Sequence, residues 1–364
     1  MNIGIPRERR AFEYRVGMTP TGVQMLTQQK HICYVEHEAG LGAGYNDQEY
    51  EQAGARIVYT PHEVFGRADL LLKVARPLLE EINWLRPGAT VAGLLHLNSA
   101  RKEKIDALLT NQITALALEL VQTPNGNFPV RQPLAQIGGH MTPQIAARML
   151  QNDAGGKGIL LGGVAGVPPA EVVILGAGVA GTCATQAFLG MGAHVTVLDI
   201  SLIQLQKLYD RFPNVVTMIA NPVNISRACT FADVIVGAIF VLGERTPIIV
   251  TRDMVKSMKP RSIIIDISID EGGCVETSRP TSHDRPTFIE EGIIHYCVPN
   301  IPGVVARTAT NAYINAAFPF IVEIANKGID RSIHDDPAIN QAIHTHRGRV
   351  VHLSNLARDT LAEQ

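Results

Sequence analysis

The sequence lacks the features that mark secreted, membrane-spanning or nucleic-acid-binding proteins. Five cysteines are scattered along 364 residues without a Cys-x-x-Cys pair, which favours neither a disulfide framework nor a structural zinc site. No segment approaches the roughly 18 uninterrupted apolar residues of a membrane helix, and the opening MNIGIPRERR becomes charged too early for a signal peptide. With 32 basic against 34 acidic residues, there is no basic excess for binding nucleic acid. We therefore expect a soluble cytoplasmic protein with no nucleic-acid partner, no membrane partner and no bound metal.

Strand and helix signals alternate along residues 1–120. Short apolar runs predict strands at residues 2–5, 32–35, 56–59, 69–74, 90–95 and 114–118. Helix signals lie between them, such as Thr19 followed by Pro20 at the first helical position. Strands that alternate with helices favour a parallel sheet with helices on both faces.

A second alternating pattern follows residue 124. Thr142-Pro143 is predicted to cap a helix that runs to about residue 152, and a glycine-rich segment occupies residues 155–169. After Arg307 the sequence predicts one long helix over residues 309–327, then shorter helices and no strong strand. Between the glycine-rich segment and Arg307, further strands are predicted at residues 171–175, 194–199, 215–220, 233–239, 262–268 and 293–298.

The length of the chain predicts two domains. A chain of 364 residues is long for one hydrophobic core and sufficient for two. The roughly 58 residues after Arg307 are too few to bury a core alone, so we expect them to pack on the first domain. The predicted fold is α/β, with two Rossmann-like, doubly wound parallel-sheet domains and a cleft between them. Residues 1–130 with 305–364 would form one discontinuous domain, and residues 131–304 the other.

The strongest motif is a G-x-G-x-x-G loop at residues 176–181, between a predicted strand and a helix pattern at residues 182–190. The next strand ends in an aspartate, where a carboxylate accepts hydrogen bonds from the adenosine ribose and repels a 2′-phosphate. The glycines permit a tight turn, close backbone approach to a pyrophosphate and close helix packing. NAD is therefore the predicted cofactor and residues 131–304 its domain; a glycine turn with an incidental aspartate is the alternative. The candidate cofactor-binding residues are Gly176, Gly178, Val179, Gly181 and Asp199.

A second glycine-rich stretch, Gly40-Leu41-Gly42-Ala43-Gly44, also looks like a phosphate loop. No acidic strand end follows it at a suitable distance. Asn46 and Glu49 have the spacing of a helix capping box. We therefore predict a structural loop at this position.

Three residues of the first domain are candidates for the chemistry that a dehydrogenase needs. Arg15 lies between the first strand and the first helix, Lys73 ends one apolar run, and His96 follows another. Loops at the carboxyl ends of parallel strands are where α/β sheets place ligands. Arg15 and Lys73 would hold a small carboxylate, and His96 would transfer protons because imidazole titrates near neutrality.

Asp270 is a fourth candidate, because it follows a predicted strand of the second domain and could face the same cleft. Each of the four has an ordinary structural alternative. A lone Arg or Lys is usually solvated, and a lone His is more often structural than catalytic. Asp270 could be only a turn residue before Gly272-Gly273.

Motifs spread over nearly the whole chain resemble the alanine dehydrogenases, whose wider family includes the nucleotide-binding part of proton-translocating transhydrogenase. Several of them contain the candidates already named. In chain order they are Arg15-Val16-Gly17-Met18-Thr19-Pro20, Lys73, Leu95-His96-Leu97, GGKGILLGGVAGV, the glycine loop with Asp199, Asp266-Ile267-Ser268-Ile269-Asp270-Glu271-Gly272-Gly273-Cys274, Ser278-Arg279-Pro280-Thr281 and the segment from His295 to Gly303.

The resemblance implies reversible oxidation of L-alanine by NAD⁺ to pyruvate and ammonium, with hydride transfer from the alanine α-carbon. It implies that Arg15 and Lys73 bind the carboxylate and carbonyl of pyruvate and that His96 and Asp270 serve proton transfer. It also implies that Thr142 and Asn300 lie beside the cofactor, and that the protein is a homo-oligomer, a hexamer in most family members.

The chain departs from the family pattern at several places. Ala75-Arg76-Pro77 stands where Lys-Glu-Pro is common, which reverses a charge near the site. Thr142 replaces a usual serine, and Gln204 stands where an arginine often meets the ribose. Pro299 and Ile301 also differ, replacing a small residue and a methionine.

Three alternative functions stay open at this point. One is a transhydrogenase-like nucleotide-binding module, and another is a dehydrogenase of a different small amino acid. The third is a non-catalytic NAD-binding protein. The joint presence of Arg15, Lys73 and His96 favours an enzyme, because a pure binding protein does not need them.

Overall fold

The computed structural model describes residues 1–241 and 244–353. The chain divides into two compact units, one formed by Met1–Leu134 with the segment that begins at Pro302, the other by Ala135–Ile301. Of the predicted range 305–364, residues 354–364 lie outside the described residues. The assignment of substrate to one unit and NAD to the other stays a prediction.

The strands and helices alternate through most of the chain. The strands are β1 (Asn2–Ile5), β2 (Ile32–Glu36), β3 (Arg56–Val58), β4 (Leu70–Ala75), β5 (Thr90–Leu94), β6 (Thr114–Ala117), β7 (Glu171–Leu175), β8 (His194–Asp199), β9 (Val215–Ile219), β10 (Val234–Gly237), β11 (Ile263–Asp266), β12 (Thr287–Glu290), β13 (Ile293–Tyr296), β14 (Ile343–His346) and β15 (Arg349–Val350). The α-helices are α1 (Pro20–Gln28), α2 (Asp47–Gln52), α3 (Pro61–Arg67), α4 (Leu79–Trp84), α5 (Lys102–Thr110), α6 (Arg131–Met149), α7 (Val179–Gly190), α8 (Leu202–Arg211), α9 (Pro222–Phe231), α10 (Arg252–Lys256), α11 (Ala306–Lys327), α12 (Ile329–Asp335) and α13 (Pro337–Gln341).

The sheet of the first unit has the order β15-β14-β6-β5-β4-β1-β2-β3. The strands from β1 to β6 are all parallel to their neighbours. Their order is that of a doubly wound sheet, in which the chain first moves to one side of β1 and then crosses to the other. β14 and β15 extend the β6 edge in antiparallel pairing.

Alternate residues of β4 explain why this sheet is covered on both faces. Leu70, Leu72 and Val74 belong to one buried cluster, whereas Leu71 belongs to a different one. Successive side chains of a strand point to opposite faces, so a continuous apolar run serves two cores. The first cluster includes one face of α11, with the buried side chains Tyr313, Ile314, Ala317, Ile321 and Ile324.

The sheet of the second unit has the order β12-β13-β11-β10-β7-β8-β9. Apart from the antiparallel edge strand β12, every pairing is parallel. β7 lies centrally, with Val172 and Ile174 in one core and Val173 and Leu175 in another. The order reverses between β7 and β10, and in such sheets ligands bind at the carboxyl ends of the strands at this reversal. The prediction of two doubly wound α/β sheets is confirmed.

Three secondary-structure predictions are wrong. Thr142 does not cap a helix, because α6 begins at Arg131 and contains Pro143 in its interior. The chain after residue 327 does contain strands, since β14 pairs with β6. The polar sequence of β14, IHTH, gives no strand signal. The helix after the glycine loop begins at Val179 and not at residue 182.

The predicted structural loop at residues 40–44 is confirmed. A short 3₁₀ helix, Leu41–Ala43, occupies it, and Gly44 has a positive φ of 76°. The Asn46 side chain accepts from the backbone N–H of Glu49, and the Glu49 carboxylate accepts from that of Asn46.

Among residues 1–241 and 244–353, no helix combines the length and the apolar character needed to cross a bilayer. The same residues contain no group of three or more His, Cys, Asp or Glu side chains placed to hold a metal ion.

Candidate active site

The glycine loop of the second unit has the geometry that a dinucleotide requires. Gly176 has φ of 108°, and a Cβ there would lie 2.5 Å from the carbonyl oxygen of Ala238. A Cβ on Gly181 would lie 1.8 Å from the carbonyl oxygen of Gly176. At Gly178, in contrast, a Cβ would meet nothing within 4 Å. The first and third glycines are therefore required by packing, and the second borders open space at the N-terminus of α7, where the helix dipole favours a phosphate.

Asp199 is tied to this loop at the end of β8. Its carboxylate accepts from the backbone N–H of Ala177 at 2.6 Å and from that of Ser201 at 2.7 Å. A carboxylate has about four acceptor sites, so these two bonds leave capacity for ribose hydroxyls. The residues present thus fit an NAD molecule whose pyrophosphate lies on the loop and whose ribose lies at Asp199.

The structure brings Asp270 and Asn300 together, although 30 residues separate them. The backbone N–H of Asn300 lies 3.2 Å from Oδ1 and 3.4 Å from Oδ2 of Asp270. Asn300 has φ of 56°. Asp270 lies on a short 3₁₀ helix, Ile267–Glu271, that follows β11. Thr142 is fully buried in α6, where its hydroxyl donates to the carbonyl of Gly139 at 2.8 Å.

Asp266 shapes the loop that carries Asp270, and sequence reasoning assigned it no role. Its buried carboxylate accepts from the backbone N–H groups of Ser268 (3.1 Å), Cys274 (3.0 Å) and Val275 (3.3 Å). These bonds fasten both ends of the loop to one side chain. Burial raises the pKa of Asp266 above its ordinary value, and a hydrogen bond from Ser278 opposes this shift.

Asp266→Ala should lower the free energy of unfolding by about 3 kcal/mol or more, because it leaves three buried N–H groups without their acceptor. Asp266→Asn keeps one acceptor oxygen and should have a smaller effect. Thermal denaturation of both variants measures this. The control is Asp253→Ala, which removes a carboxylate whose side chain is 91% exposed. Equal melting temperatures for Asp266→Ala and Asp253→Ala would contradict the assignment.

In the first unit, Arg15 and Lys73 are buried cations that are already paired. Arg15 forms a two-pronged pair with Glu13, from Nε to Oε1 at 2.7 Å and from Nη2 to Oε2 at 2.6 Å. The ammonium of Lys73 lies 3.1 Å from Oε2 of Glu8 and 3.0 Å from Oε1 of Glu81. The solvated alternative is therefore wrong for both residues, because their side chains are only 4% and 1% exposed.

One buried electrostatic cluster includes both cations. Glu8 lies against Lys73 and also acts electrostatically on Arg15. Tyr313 donates its hydroxyl hydrogen to the backbone carbonyl of Lys73 at 3.3 Å. Burial raises the pKa of Glu8 above its ordinary value, while Lys73 opposes the shift. Sequence reasoning missed Glu8 and Glu81 because they lie in segments other than that of Lys73, and only the fold brings them together.

His96 differs from the two cations because its imidazole is accessible. The residue follows β5 with φ of 43°, and its side chain is 48% exposed. Its backbone is held on both sides. The N–H donates to Oε1 of Glu119 at 2.6 Å, and the carbonyl accepts from Nη1 of Arg76 at 3.1 Å. The ring Nδ1 lies 3.9 Å from the same Glu119 oxygen.

Two doubly wound sheets, one with a glycine loop tied to an acidic strand end, define a dinucleotide-binding α/β protein. Residues 4–138 match the N-terminal domain of the alanine dehydrogenase/PNT family, and residues 142–353 match its C-terminal domain. The chain belongs to this family.

Individual relatives agree with the family match along the whole chain. An alanine dehydrogenase of Methanococcus maripaludis is 43% identical over 97% of this chain and 95% of its own length. A solved structure of an L-alanine dehydrogenase covers 99% of both chains with 39% identity and a TM-score of 0.95. A transhydrogenase from Sinorhizobium meliloti covers 97% of this chain and all of its own, with 25% identity and a TM-score of 0.82.

Proposed function

We propose that this chain catalyses the reversible NAD-dependent oxidative deamination of L-alanine to pyruvate and ammonium. The observation that carries the proposal is the joint presence of a buried Arg15–Lys73 cluster and an accessible His96 in one unit. Both occur in a chain that resembles alanine dehydrogenases over its full length. When bound, NAD⁺ supplies the hydride acceptor.

The substrate carboxylate is assigned to Arg15 and Lys73, and the carbonyl of pyruvate to Lys73. An ammonium has three donors, so Lys73 can contact a substrate oxygen while it stays between Glu8 and Glu81. Burial excludes water from this position and strengthens the attraction for an anionic group. Holding the carboxylate in this way also orients the α-carbon.

Proton transfer is assigned to His96, with Asp270 as the second candidate. The imidazole is accessible while its backbone is fixed by Glu119 and Arg76, so the ring can meet a ligand from a defined position. In alanine oxidation its role is to accept a proton from the water that adds to the oxidised carbon. Asp270 is kept because a carboxylate held against the Asn300 N–H is also a suitable base.

We also propose that the protein is cytoplasmic and homo-oligomeric, a hexamer by resemblance to its family. Thr142 and Asn300 are proposed to line the cofactor site together with Gly176, Gly178, Val179, Gly181 and Asp199.

The reaction is tested by mixing the purified protein with NAD⁺ and a panel of amino acids while NADH absorbance is followed. L-Alanine should give the highest kcat/KM, with serine, glycine and aspartate well below it. If another amino acid is oxidised faster than L-alanine, that amino acid is the substrate instead. If none of the amino acids yields NADH, the dehydrogenase assignment is wrong.

A nucleotide module of the transhydrogenase type is the second candidate, favoured by the similarity to the Sinorhizobium meliloti protein. The same preparation should therefore be given NADH with an NADP⁺ analogue and no amino acid. Hydride exchange between the two nucleotides without alanine would favour this second function.

NAD⁺ should be preferred over NADP⁺ by about 30-fold in kcat/KM. A 2′-phosphate beside the Asp199 carboxylate costs on the order of 2 kcal/mol in repulsion. Asp199→Ala should narrow this ratio, although it also removes the acceptor of the Ala177 N–H. Steady-state kinetics with both cofactors measure it. Equal kcat/KM for the two cofactors in the unmodified protein would show that Asp199 does not discriminate between NAD⁺ and NADP⁺.

A further inference from the structure

Three cations beside His96 form no salt bridge with a carboxylate in the part of the chain that the structure describes. Arg10, Arg76 and Lys104 donate instead to uncharged acceptors. Nε of Arg10 donates to the carbonyl of Arg76 at 3.1 Å, and Nζ of Lys104 to that of Pro77 at 3.0 Å. Nη1 of Arg76 donates to the carbonyl of His96 and to Oγ of Ser99, both at 3.1 Å.

Three other cations of the first unit are neutralised by carboxylates. Arg9, Arg15 and Lys73 all pair with carboxylates, so the residues around them are electrically balanced. Over residues 1–241 and 244–353, no salt bridge within 4.0 Å is formed by Arg10, Arg76 or Lys104. The two carboxylates that act electrostatically on Lys104 and Arg76 already have other partners, Glu81 with Lys73 and Glu119 with the N–H groups of Leu95 and His96.

The pKa of Lys104 reflects the positive charge around it. Its pKa is lowered to about 8, first by partial burial and then by the cations Arg10, Arg76 and Arg101, which outweigh an opposing effect of Glu81. Burial and Arg10 also lower the pKa of Arg76, while Glu119 opposes this shift. Cations held this close without a partner repel each other, and an anion among them would relieve that repulsion.

We propose that Arg10, Arg76 and Lys104 form a binding site for a small divalent oxyanion beside His96, separate from the cations assigned to the substrate carboxylate. The hydrogen bonds to backbone carbonyls hold these side chains in place before a ligand arrives, while N–H groups of both arginines and of Lys104 stay available. Such groups suit a phosphate-like or dicarboxylate ligand, which arginine binds through paired N–H donors.

Arg76 connects the proposed anion site to the segment that carries His96. Because Arg76 also donates to the His96 carbonyl, a ligand at this site lies against the segment that carries the proposed proton-transferring residue.

The test is isothermal titration calorimetry of the purified full chain at constant ionic strength, with sulfate as the phosphate-like probe and succinate as the dicarboxylate. Saturable one-site binding of either probe is expected, and the one that binds more tightly identifies the ligand class. Lys104→Gln and Arg10→Gln should each weaken that binding about tenfold or more, the loss expected for one charge-assisted hydrogen bond. No turnover is involved, so the result does not depend on the proposed reaction.

Two matched variants separate this site from its alternatives. Lys102→Gln removes an exposed cation two residues before Lys104 on α5 and should change the affinity less than about twofold. An equal loss of anion affinity in Lys102→Gln would mean that diffuse surface charge attracts the anion, and this result would overturn the proposal. Loss of binding in Arg15→Gln with retention in Lys104→Gln would place the anion at the substrate cations and would also overturn it, as would the absence of saturable binding for both probes.

The pH dependence of sulfate binding gives a further check. Sulfate keeps its charge between about pH 7 and pH 9, and guanidinium groups in proteins are not deprotonated. Lys104 loses its charge as the pH rises through about 8, so affinity should fall over this range in the unmodified protein. The fall should be absent in Lys104→Gln, and an unchanged fall in that variant would contradict the role of Lys104.

Discussion

His96→Ala should lower kcat for alanine oxidation by about 100-fold or more, the usual scale of general acid–base catalysis. NADH affinity and melting temperature should stay close to those of the unmodified protein. The imidazole is half exposed, and the hydrogen bonds that hold residue 96 are made by its backbone, which alanine retains. The positive φ of 43° adds only a modest cost on replacement by alanine.

His37→Ala is the matched control for this variant. Its side chain is 47% exposed, and its Nδ1 lies 2.5 Å from Oδ2 of Asp47, so it also removes an accessible histidine beside a carboxylate. It should leave kcat unchanged. If His96→Ala keeps a near-normal kcat, the proton-transfer assignment is wrong and Asp270 becomes the leading candidate. If His96→Ala lowers stability and activity together, the residue has a packing role.

Lys73→Met should produce the largest combined loss of substrate binding and stability. It removes the cation assigned to the substrate and leaves Glu8 and Glu81 facing each other in a buried place. Breaking a buried ion pair by removal of one partner costs about 3–5 kcal/mol. The melting temperature should therefore fall, and KM for alanine and pyruvate should rise with some loss of kcat, because the carboxylate anchor also orients the α-carbon.

A double variant separates the two roles of Lys73. Glu8→Gln combined with Lys73→Met removes one uncompensated carboxylate and should recover part of the melting temperature without recovering alanine oxidation. Recovery of both would show that Lys73 acts only through stability. Lys73→Arg should restore activity only in part, because a planar guanidinium does not replace a compact ammonium in a buried position between two carboxylates.

The parallel strands were predictable from sequence because each is an apolar run bounded by turns. β1, β7 and β8 were predicted with their observed bounds, and the glycine loop was recognisable because its strand, helix and acidic strand end come in a fixed order. Strand β14 was missed because IHTH has no apolar alternation; its pairing with β6 is decided by tertiary contact. The α6 start was missed because Thr142-Pro143 imitates a helix cap, whereas Pro143 is accommodated inside the helix.

The candidate residues were accessible to sequence reasoning, but their surroundings were not. Arg15 was named from its place between the first strand and the first helix, and Lys73 from the end of an apolar run. The sequence pattern did not reveal that Glu13 pairs with Arg15 and that Glu8 and Glu81 pair with Lys73. Glu13 lies only two residues from Arg15, but Glu8 and Glu81 come from other segments than Lys73, and only folding brings them close to its ammonium group. The same holds for Asp266, whose three backbone partners lie on both sides of the loop that it closes.

Isotope transfer to the nucleotide shows whether the hydride comes from the α-carbon of L-alanine. The protein is given L-alanine deuterated at the α-carbon with NAD⁺, and the nucleotide and keto-acid products are analysed by mass spectrometry. We expect NADH that carries one deuterium, with pyruvate formed in equal amount. NADH without deuterium, or NADH formed without pyruvate, would rule out hydride transfer from the alanine α-carbon.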